Sequence, residues 1–367
     1  MTRRWVLLNP GPVNVSERVR RALLAPDLCH REAEFGSLLE RIRKKILKIF
    51  KIEKTHTIAL FTGSGTAALE AMLCSFADEN KKILVLSNGV YGQRMRAILE
   101  TYHRTPVITL SSPWGDFPPE KRIENLLKND ASIHAIAMVH HETSTGRLNP
   151  LARIGALAKK HKKIFLVDAV SSLGAEKIDF VKNGIGALAG TAGKCLHGFP
   201  GVSFVILSKK AVLLLKQKKP RSLYLDLLNT LQHQEKKDVP FTPAVQLFYA
   251  FHEALDELAQ EGLSRRIRDY AGRSALLDSG FRKLGLRFLI DREHRSHVLT
   301  ALWTPASISY EALHSRLKKH GFVIYAGQSE LKGKIFRVAH LGCLGRQDLK
   351  NFIFHLARAI RWKKTPP

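Results

Sequence analysis

The sequence predicts an α/β fold with two domains, and three observations support this prediction. With 367 residues, of which 45% are hydrophobic, the chain is long enough to bury a full core. Between residues 57 and 208, short apolar segments alternate with segments of helical periodicity. After about residue 242 this alternation gives way to two long helices and a few short strands. We therefore expect a large domain with a mostly parallel sheet and a smaller C-terminal α+β domain.

Six short segments between residues 57 and 208 are almost continuously apolar, which is typical of strands covered on both faces and predicts six strands there. They are Thr57–Phe61, Lys82–Leu86, Pro106–Leu110, His134–Val139, Lys163–Val167 and Ser203–Leu207. In the C-terminal region we predict helices Pro243–Glu261, Ser264–Leu284 and Tyr310–His320, and strands Val298–Trp303, Phe322–Tyr325 and Ile335–Val338. The predicted bounds are 1–15 for an extended, proline-containing N-terminal arm, 16–245 for the large domain and 246–367 for the small domain.

The formal net charge of +27 is the most unusual bulk property of the chain. Such a charge can indicate nucleic-acid binding, because Lys and Arg neutralise phosphates. The basic residues are, however, spread over helical segments such as 41–54, 159–163 and 265–273, which is typical of solvated helix faces. We therefore expect no specific nucleic-acid site. A basic host proteome or the attraction of anionic substrates would explain the charge.

Cysteine usage and hydropathy indicate the compartment. Cys29, Cys74, Cys195 and Cys343 have neither the spacing of a zinc site nor the density of a disulfide scaffold, so we expect reduced thiols and no bound metal. No apolar run is long enough to span a membrane, and no apolar targeting segment follows the N-terminus. These features predict a cytoplasmic protein without a membrane partner.

A glycine-containing turn, Thr-Gly-Ser-Gly-Thr at residues 62–66, follows the first predicted strand and precedes the helix Ala67–Cys74. Free backbone N–H groups at a helix N-terminus bind anions, and the hydroxyls of Ser64 and Thr66 add donors beside Gly65. This turn is a candidate phosphate site. The alternative is that Ser64 or Thr66 only caps the helix.

Lys194 lies among small residues, in the segment Gly-Thr-Ala-Gly-Lys-Cys at 190–195, so a flat cofactor can approach it closely. A partly desolvated amine also loses its proton readily, as covalent attachment to a carbonyl requires. Without further evidence, an ordinary surface lysine is the alternative interpretation.

Asp168 ends the predicted strand Lys163–Val167, at the edge where open α/β sheets bind ligands. A structural Asp would instead cap a following helix. One helix and one strand fit between Asp168 and Lys194, so both can reach the same edge. Together they could hold pyridoxal 5'-phosphate (PLP), with the carboxylate paired to the pyridinium nitrogen.

Further motifs occur in the order found in class V aminotransferases, which are PLP-dependent enzymes of fold type I. They are residues 7–12 (LLNPGP), 63–66 (GSGT), 88–94 (NGVYGQR), 141–146 (HETSTG), 171–172 (SS), 194–195 (KC), 241–243 (FTP) and 336–337 (FR). The chain therefore resembles this family. It is similar in particular to the branch of the 2-aminoethylphosphonate:pyruvate transaminases and the alanine (or serine):glyoxylate aminotransferases.

The resemblance implies roles for the cofactor-binding residues. Lys194 would be the Schiff-base lysine and Asp168 the partner of the pyridinium nitrogen. The phosphate would be held by Ser64, Gly65 and Thr66.

The same resemblance implies roles for four more residues. Tyr91 would stack on the cofactor ring, and Thr143 would bond the ring hydroxyl. Thr242 would reach the phosphate of a neighbouring subunit, which implies a homodimer with shared active sites. Arg337 would clamp the substrate carboxylate, with Arg31 and Arg94 as the next candidates. Without the resemblance, Tyr91 would be a core residue and Arg337 a member of a salt bridge.

The resemblance implies amino transfer between a small-molecule amine donor and a 2-oxo acid. Segments 141–150, 194–201 and 321–325 resemble the enzymes that convert 2-aminoethylphosphonate and pyruvate to phosphonoacetaldehyde and alanine. Segment 30–35 instead resembles the glyoxylate enzymes, so an alanine (or serine):glyoxylate or pyruvate aminotransferase is the alternative. Two departures from the phosphonate enzymes are Gly193, where they usually carry Asn, and 339–340 (Ala-His), where they carry Gly-Asn.

Two further interpretations stay open at this point. A PLP-dependent lyase such as a cysteine desulfurase would need a nucleophilic cysteine on a mobile loop, which Cys343 does not match; we expect Cys343 to be a small buried thiol. A non-enzymatic basic interaction protein would leave the joint presence of Lys194, Asp168 and Arg337 unexplained.

Overall fold

The computed structural model describes residues 4–101 and 106–361. The strands are β1 (Val6–Leu7), β2 (His56–Gly63), β3 (Lys82–Ser87), β4 (Val107–Ser111), β5 (Ile133–Val139), β6 (His141–Glu142), β7 (Arg147–Leu148), β8 (Ile164–Asp168), β9 (Ala187–Thr191), β10 (Gly201–Ser208), β11 (Leu299–Trp303), β12 (Phe322–Val323), β13 (Tyr325–Ala326) and β14 (Ile335–Ala339). The helices are α1 (Glu17–Arg21), α2 (Ala33–Ile49), α3 (Gly65–Phe76), α4 (Val90–Thr101), α5 (Glu120–Asn129), α6 (Leu151–Lys160), α7 (Lys209–Leu215), α8 (Leu227–Glu235), α9 (Val245–Glu261), α10 (Leu263–Lys283), α11 (Tyr310–Lys319) and α12 (Arg346–Arg361).

A seven-stranded sheet with the order β2-β10-β9-β8-β5-β3-β4 forms the centre of the fold. Of its seven strands, β10 runs in the direction opposite to the other six. Alternate residues of each strand enter two different apolar cores: in β3, Leu84 and Leu86 pack in one and Ile83 and Val85 in the other. Burial on both faces explains why these strands are near-continuously apolar. The predicted α/β fold with a mostly parallel sheet is confirmed.

All six strands predicted in this region are present, each within two residues of the predicted bounds. The sheet also contains β9, which overlaps the apolar run that precedes Lys194. Because β5, β8 and β9 are adjacent and parallel, their carboxyl ends meet at one edge of the sheet.

The C-terminal region contains a three-stranded sheet with the order β11-β14-β13, and residues of α10, α11 and α12 share an apolar core with it. The three predicted helices are present. The prediction of one strand over Phe322–Tyr325 is wrong. The segment forms two short strands, because β12 pairs with β1 while β13 pairs with β14. The domain division at residue 245 stays a prediction.

The described part of the N-terminal arm, residues 4–15, forms no helix, as predicted, and it pairs with the C-terminal region. Val6 of β1 lies opposite Phe322 of β12 in a parallel register. The backbone N–H of Leu8 donates to the oxygen of Val323 (2.8 Å), and the N–H of Ala339 donates to the oxygen of Leu8 (2.9 Å). These bonds fix the path of residues 9–12, which follow directly.

The prediction of solvated basic helix faces is wrong at two positions of α10. Arg266 and Arg273 are buried. Their guanidinium groups pair with Glu261 (2.6 Å) and Asp269 (2.5 Å) and also donate to the backbone oxygens of Cys195 and Gly342. These side chains therefore bind loops of the protein instead of water. The basic segments 41–54 and 159–163 are only partly helical, because α2 ends at Ile49 and α6 ends at Lys160.

Within the described residues, no helix combines the length and apolar character that crossing a membrane requires.

Candidate active site

One cavity of about 240 Å³, partly open to solvent, lies at the edge of the sheet where β5, β8 and β9 end. Four of the predicted site residues line it: Tyr91, Thr143, Asp168 and Lys194. Asp168 is the last residue of β8, Thr143 follows β6, and Lys194 lies three residues beyond β9. His141, Val170 and Ser171 complete the lining. The strand order thus brings together residues that are far apart in sequence.

The amine of Lys194 is largely buried beside the N-terminal arm, and its Nζ donates a hydrogen bond to the backbone oxygen of Pro10. Burial lowers the pKa of Lys194 to about 8, although the negative charge of Asp168 acts in the opposite direction. At neutral pH a much larger fraction of this amine is therefore unprotonated than for an exposed lysine.

The carboxylate of Asp168 is buried, and its Oδ1 accepts a hydrogen bond from the backbone N–H of Val170 (2.9 Å). Burial raises the pKa of Asp168 to about 6, although that hydrogen bond and the positive charges of Arg94 and Lys194 oppose the shift. A protonated ring nitrogen placed beside this carboxylate would stabilise its charged form.

The candidate phosphate turn lies at the N-terminus of α3, where Ser64 is the N-cap residue. Within the described residues, the Ser64 side chain makes no capping hydrogen bond, so the interpretation of Ser64 as a simple side-chain cap is not supported. Thr66 Oγ1 accepts from Arg94 Nη1 (3.2 Å). A Cβ atom at Gly65 would lie 2.7 Å from Cγ1 of Val170, so only glycine allows the helix end to approach the segment that follows Asp168.

Tyr91 is fixed at the start of α4 by a residue that the sequence did not single out. The buried carboxylate of Glu142 accepts hydrogen bonds from the backbone N–H groups of Tyr91 (3.1 Å) and Gly92 (3.3 Å) and from the Ser144 hydroxyl (2.5 Å). Burial raises the pKa of Glu142 despite these bonds. Glu142 lies within the 141–146 motif, which was the only sequence signal for it. The Arg94 guanidinium lies 4.6 Å from the centre of the Tyr91 ring.

Arg337, on β14, is 1% exposed and contacts the wall of the cavity. Its Nε donates to the backbone oxygen of Ala326 (2.9 Å), and its Nη1 donates to the backbone oxygen of Thr143 (2.9 Å) and to Gln328 Oε1 (3.0 Å). Of the two alternative clamps, Arg31 pairs with Asp238 (2.9 Å) at the surface, and Arg94 donates to Thr66 Oγ1 (3.2 Å). The sequence did not single out Gln328.

Thr242 is not brought to Lys194 within one chain. It is exposed and lines a separate cavity of about 330 Å³ with Thr62, Tyr224 and Phe241. The sequence assigned Thr242 to the site of a neighbouring subunit, and that assignment stays a prediction.

The expectation of a buried thiol at Cys343 is wrong, because its side chain is exposed. Its backbone N–H is fixed by the oxygen of Asn14 (2.7 Å), in a turn that presents the side chain outward. The buried thiol beside the cavity is Cys195, whose Sγ lies 3.1 Å from the oxygen of Ser171. Burial raises the pKa of Cys195 to about 12, so this thiol is not a ready nucleophile.

In the described part of the chain, no three His, Cys, Asp or Glu side chains are grouped to hold a metal ion.

The residues around the cavity fit PLP. Lys194 offers an amine with a lowered pKa, Asp168 a buried carboxylate and Tyr91 an aromatic ring. The N-terminus of α3, at Gly65, packs against Val170 in the wall of the same cavity.

The profile of the aminotransferase class V family matches residues 20–340. The chain is a class V aminotransferase. Enzymes of this class depend on PLP, so PLP is the cofactor of this aminotransferase.

Individual relatives agree with this assignment. The chain is 35% identical to the 2-aminoethylphosphonate–pyruvate transaminase of Vibrio vulnificus, over 99% of this chain and 100% of that protein. The solved structure of an alanine–glyoxylate aminotransferase from Nostoc sp. is similar with a TM-score of 0.92 at 27% identity, covering 98% of this chain and 96% of that one. A ureidoglycine–glyoxylate aminotransferase from Bacillus subtilis is similar with a TM-score of 0.90 at 25% identity, covering 98% and 93%.

Proposed function

We propose that this aminotransferase moves the amino group of 2-aminoethylphosphonate to pyruvate, giving phosphonoacetaldehyde and alanine, and that it acts in phosphonate metabolism. The observation that carries transamination is the buried Lys194 amine in one cavity with the Asp168 carboxylate. The choice of substrates is supported by relatives of that name, which are 32–35% identical over nearly the full length of both chains.

Lys194 is the residue that binds the cofactor covalently and, once released by the incoming amine, moves a proton to and from the substrate carbon. Its lowered pKa suits both tasks, because each needs the unprotonated amine. When bound, PLP supplies an electron-withdrawing ring that stabilises the charge left when that proton departs. Asp168 holds the ring nitrogen in its protonated form.

The remaining residues position the cofactor. Tyr91 packs on its ring, and Thr143 contacts the ring hydroxyl. Ser64, Gly65 and Thr66 hold the phosphate, a role favoured by the positive end of α3 and by a Ser64 side chain that makes no capping hydrogen bond among the described residues.

Arg337 binds the carboxylate of the 2-oxo acid. It is a buried cation, and among the described residues it forms no salt bridge, so its charge is available to an anionic substrate. The net charge of +27 adds a long-range attraction for anions, including a phosphonate.

The active unit is a homodimer in the cytoplasm. Thr242 is exposed and lines a cavity other than that of Lys194 in its own chain, which suits a contact with the phosphate in the other subunit.

An alanine (or serine):glyoxylate aminotransferase is the second candidate. It is favoured by the similarity of the whole fold to two glyoxylate aminotransferases with TM-scores of 0.92 and 0.90.

Half-reaction spectroscopy separates the two candidates. The purified PLP form is mixed in turn with 2-aminoethylphosphonate, alanine and serine, and the loss of cofactor absorbance is followed. The proposal predicts the fastest conversion with 2-aminoethylphosphonate, and pyruvate should restore the starting spectrum faster than glyoxylate. Faster conversion with alanine or serine and faster return with glyoxylate would overturn the substrate assignment in favour of the second candidate. Lys194→Ala is the control for non-enzymatic conversion.

A further inference from the structure

The hydrogen bonds of Arg337 leave one nitrogen free for a substrate. A guanidinium has five N–H donors: one on Nε and two on each Nη. The Nε donor is used by the Ala326 oxygen, and the two Nη1 donors are used by the Thr143 oxygen and by Gln328 Oε1. Only the two donors of Nη2 take part in none of these bonds.

Bidentate recognition of a carboxylate needs two parallel N–H groups on adjacent nitrogens. Nη2 can be paired with Nε or with Nη1, and both already donate to protein oxygens. A carboxylate can therefore bind in a bidentate manner only if Ala326 releases Nε, or if the acceptor of the Nη1 hydrogen beside Nη2 gives way.

Two of these acceptors are fixed by the backbone. Ala326 lies in β13, which pairs with β14, and the Thr143 oxygen belongs to the buried turn after β6. Gln328 Oε1 is instead the end of a rotatable side chain, so it can move at much lower cost.

The turn that carries Gln328 restricts this movement to the side chain. The backbone N–H of Gly327 donates to the oxygen of Ile335 (3.0 Å), and that of Leu331 donates to the oxygen of Gln328 (2.9 Å). A Cβ atom at Gly327 would overlap the oxygen of Leu331. The backbone is therefore held in place while the amide can rotate away.

We propose that Gln328 is a specificity-determining residue that competes with the substrate carboxylate for Nη1 of Arg337. This inference rests on the proposed clamp role of Arg337. The neutral amide of Gln328 orients the Arg337 guanidinium without cancelling its charge. It rotates away when a carboxylate accepts two parallel hydrogen bonds from that guanidinium. Substrates that form two hydrogen bonds with Arg337 displace Gln328, whereas anions that form one do not.

The test is the binding of pyruvate to the PLP form, measured by calorimetry. Pyruvate carries no amino group to transfer to that form, so the titration reports binding alone. Gln328→Glu places a carboxylate against Arg337, and we expect the Kd of pyruvate to rise roughly tenfold or more. Gln328→Met removes the competing acceptor at similar size, and we expect the Kd to fall by roughly two- to tenfold.

Opposite signs for these two variants distinguish competition from a purely structural role. A Kd that rises in both variants, or changes in neither, overturns the proposal. Gln347→Glu adds the same charge at an exposed position of α12 and should leave the Kd unchanged. If Gln328→Met does not retain PLP, Gln328→Asn withdraws the acceptor more mildly and should shift the Kd in the same direction.

Arg337→Lys separates failure of this inference from failure of the clamp. Unchanged pyruvate binding in Arg337→Lys would refute the clamp and this inference together. Weakened binding in Arg337→Lys without opposite effects at Gln328 would refute the inference alone. Repeating the titration with glyoxylate applies the same test if the enzyme prefers that acceptor.

Discussion

Lys194 Nζ donates a hydrogen bond to the backbone oxygen of Pro10, so the N-terminal arm lies directly against the amine. The arm is held there because β1 pairs with β12 and Leu8 bonds Ala339. Residues of the N-terminal arm thus contact a lysine that is far from them in sequence, because most strands of the large sheet lie between them in the chain. Changes in the arm should therefore be detectable at Lys194.

Gly11→Ala is expected to impair PLP binding. Gly11 has φ +130°, and a Cβ atom there would overlap Nζ of Lys194. The variant should lose about 1 kcal/mol of stability through backbone strain and should also lose most of its PLP at equilibrium. Cofactor absorbance per subunit and a denaturant titration measure the two effects.

Gly333→Ala is the matched control, because Gly333 has φ +74° and no atom lies within 4 Å of its ideal Cβ position. It should show similar strain and full PLP content. Equal PLP content in the two variants would contradict the assignment of the arm to the wall of the site.

The rate of PLP attachment to the apoenzyme should follow the ionisation of Lys194. Its pKa of about 8 predicts that the rate rises with pH up to about 8 and levels off above it. Because the negative charge of Asp168 raises the pKa of Lys194, Asp168→Asn should move the midpoint to lower pH. Stopped-flow absorbance measures the attachment rate against pH for the wild type and for Asp168→Asn. A midpoint near that of an exposed lysine, about 10.4, would argue against a buried amine.

The pair His297–Glu176 should make stability depend on pH. The Nδ1 of His297 lies 3.0 Å from Glu176 Oε2, and this hydrogen bond raises the pKa of His297 although burial opposes it. Burial acts to raise the pKa of Glu176, but the hydrogen bonds and charge of His297 outweigh it and lower that pKa overall.

The sign of the effect follows from these directions. The contribution of His297 is fully present below about pH 6.5 and is lost as pH rises through its raised pKa. The contribution of Glu176 is present above about pH 4.5 and is lost as pH falls through its lowered pKa. His297→Gln should therefore reduce the free energy of unfolding more at about pH 5.5 than at about pH 9. An equal loss at both pH values would show that the pair is not charged.

Part of this architecture was predictable from sequence because it depends on local patterns. The apolar strand that ends at Asp168 and the small residues around Lys194 are local signals, and Tyr91 lies in a family motif. The contacts of Pro10 and Gln328 were not predictable, since they depend on how the arm and the β13–β14 turn pack against distant segments. The burial of Arg266 was not predictable for the same reason: its partner Glu261 is local, but it also donates to the oxygen of Cys195, which is distant in sequence.

Thr242→Ala should weaken PLP retention without unfolding the chain. The proposed contact of Thr242 with the phosphate of the other subunit would be lost, whereas the exposed side chain contributes little to the core. Equilibrium dialysis measures the retained PLP, and sedimentation should show a dimer for wild type and variant. Ser307→Ala, at another exposed position, is the control. Unchanged retention, or a fully active monomer, would contradict the shared active site.

Covalent trapping of the cofactor shows directly whether Lys194 is the residue that binds PLP. The purified PLP form is reduced with borohydride, digested and mapped by mass spectrometry. We expect a pyridoxyl group on Lys194 in wild type and none in Lys194→Ala. A pyridoxyl group on another lysine of PLP-saturated wild-type protein, or no adduct at all, would contradict the assignment of Lys194 as the catalytic residue.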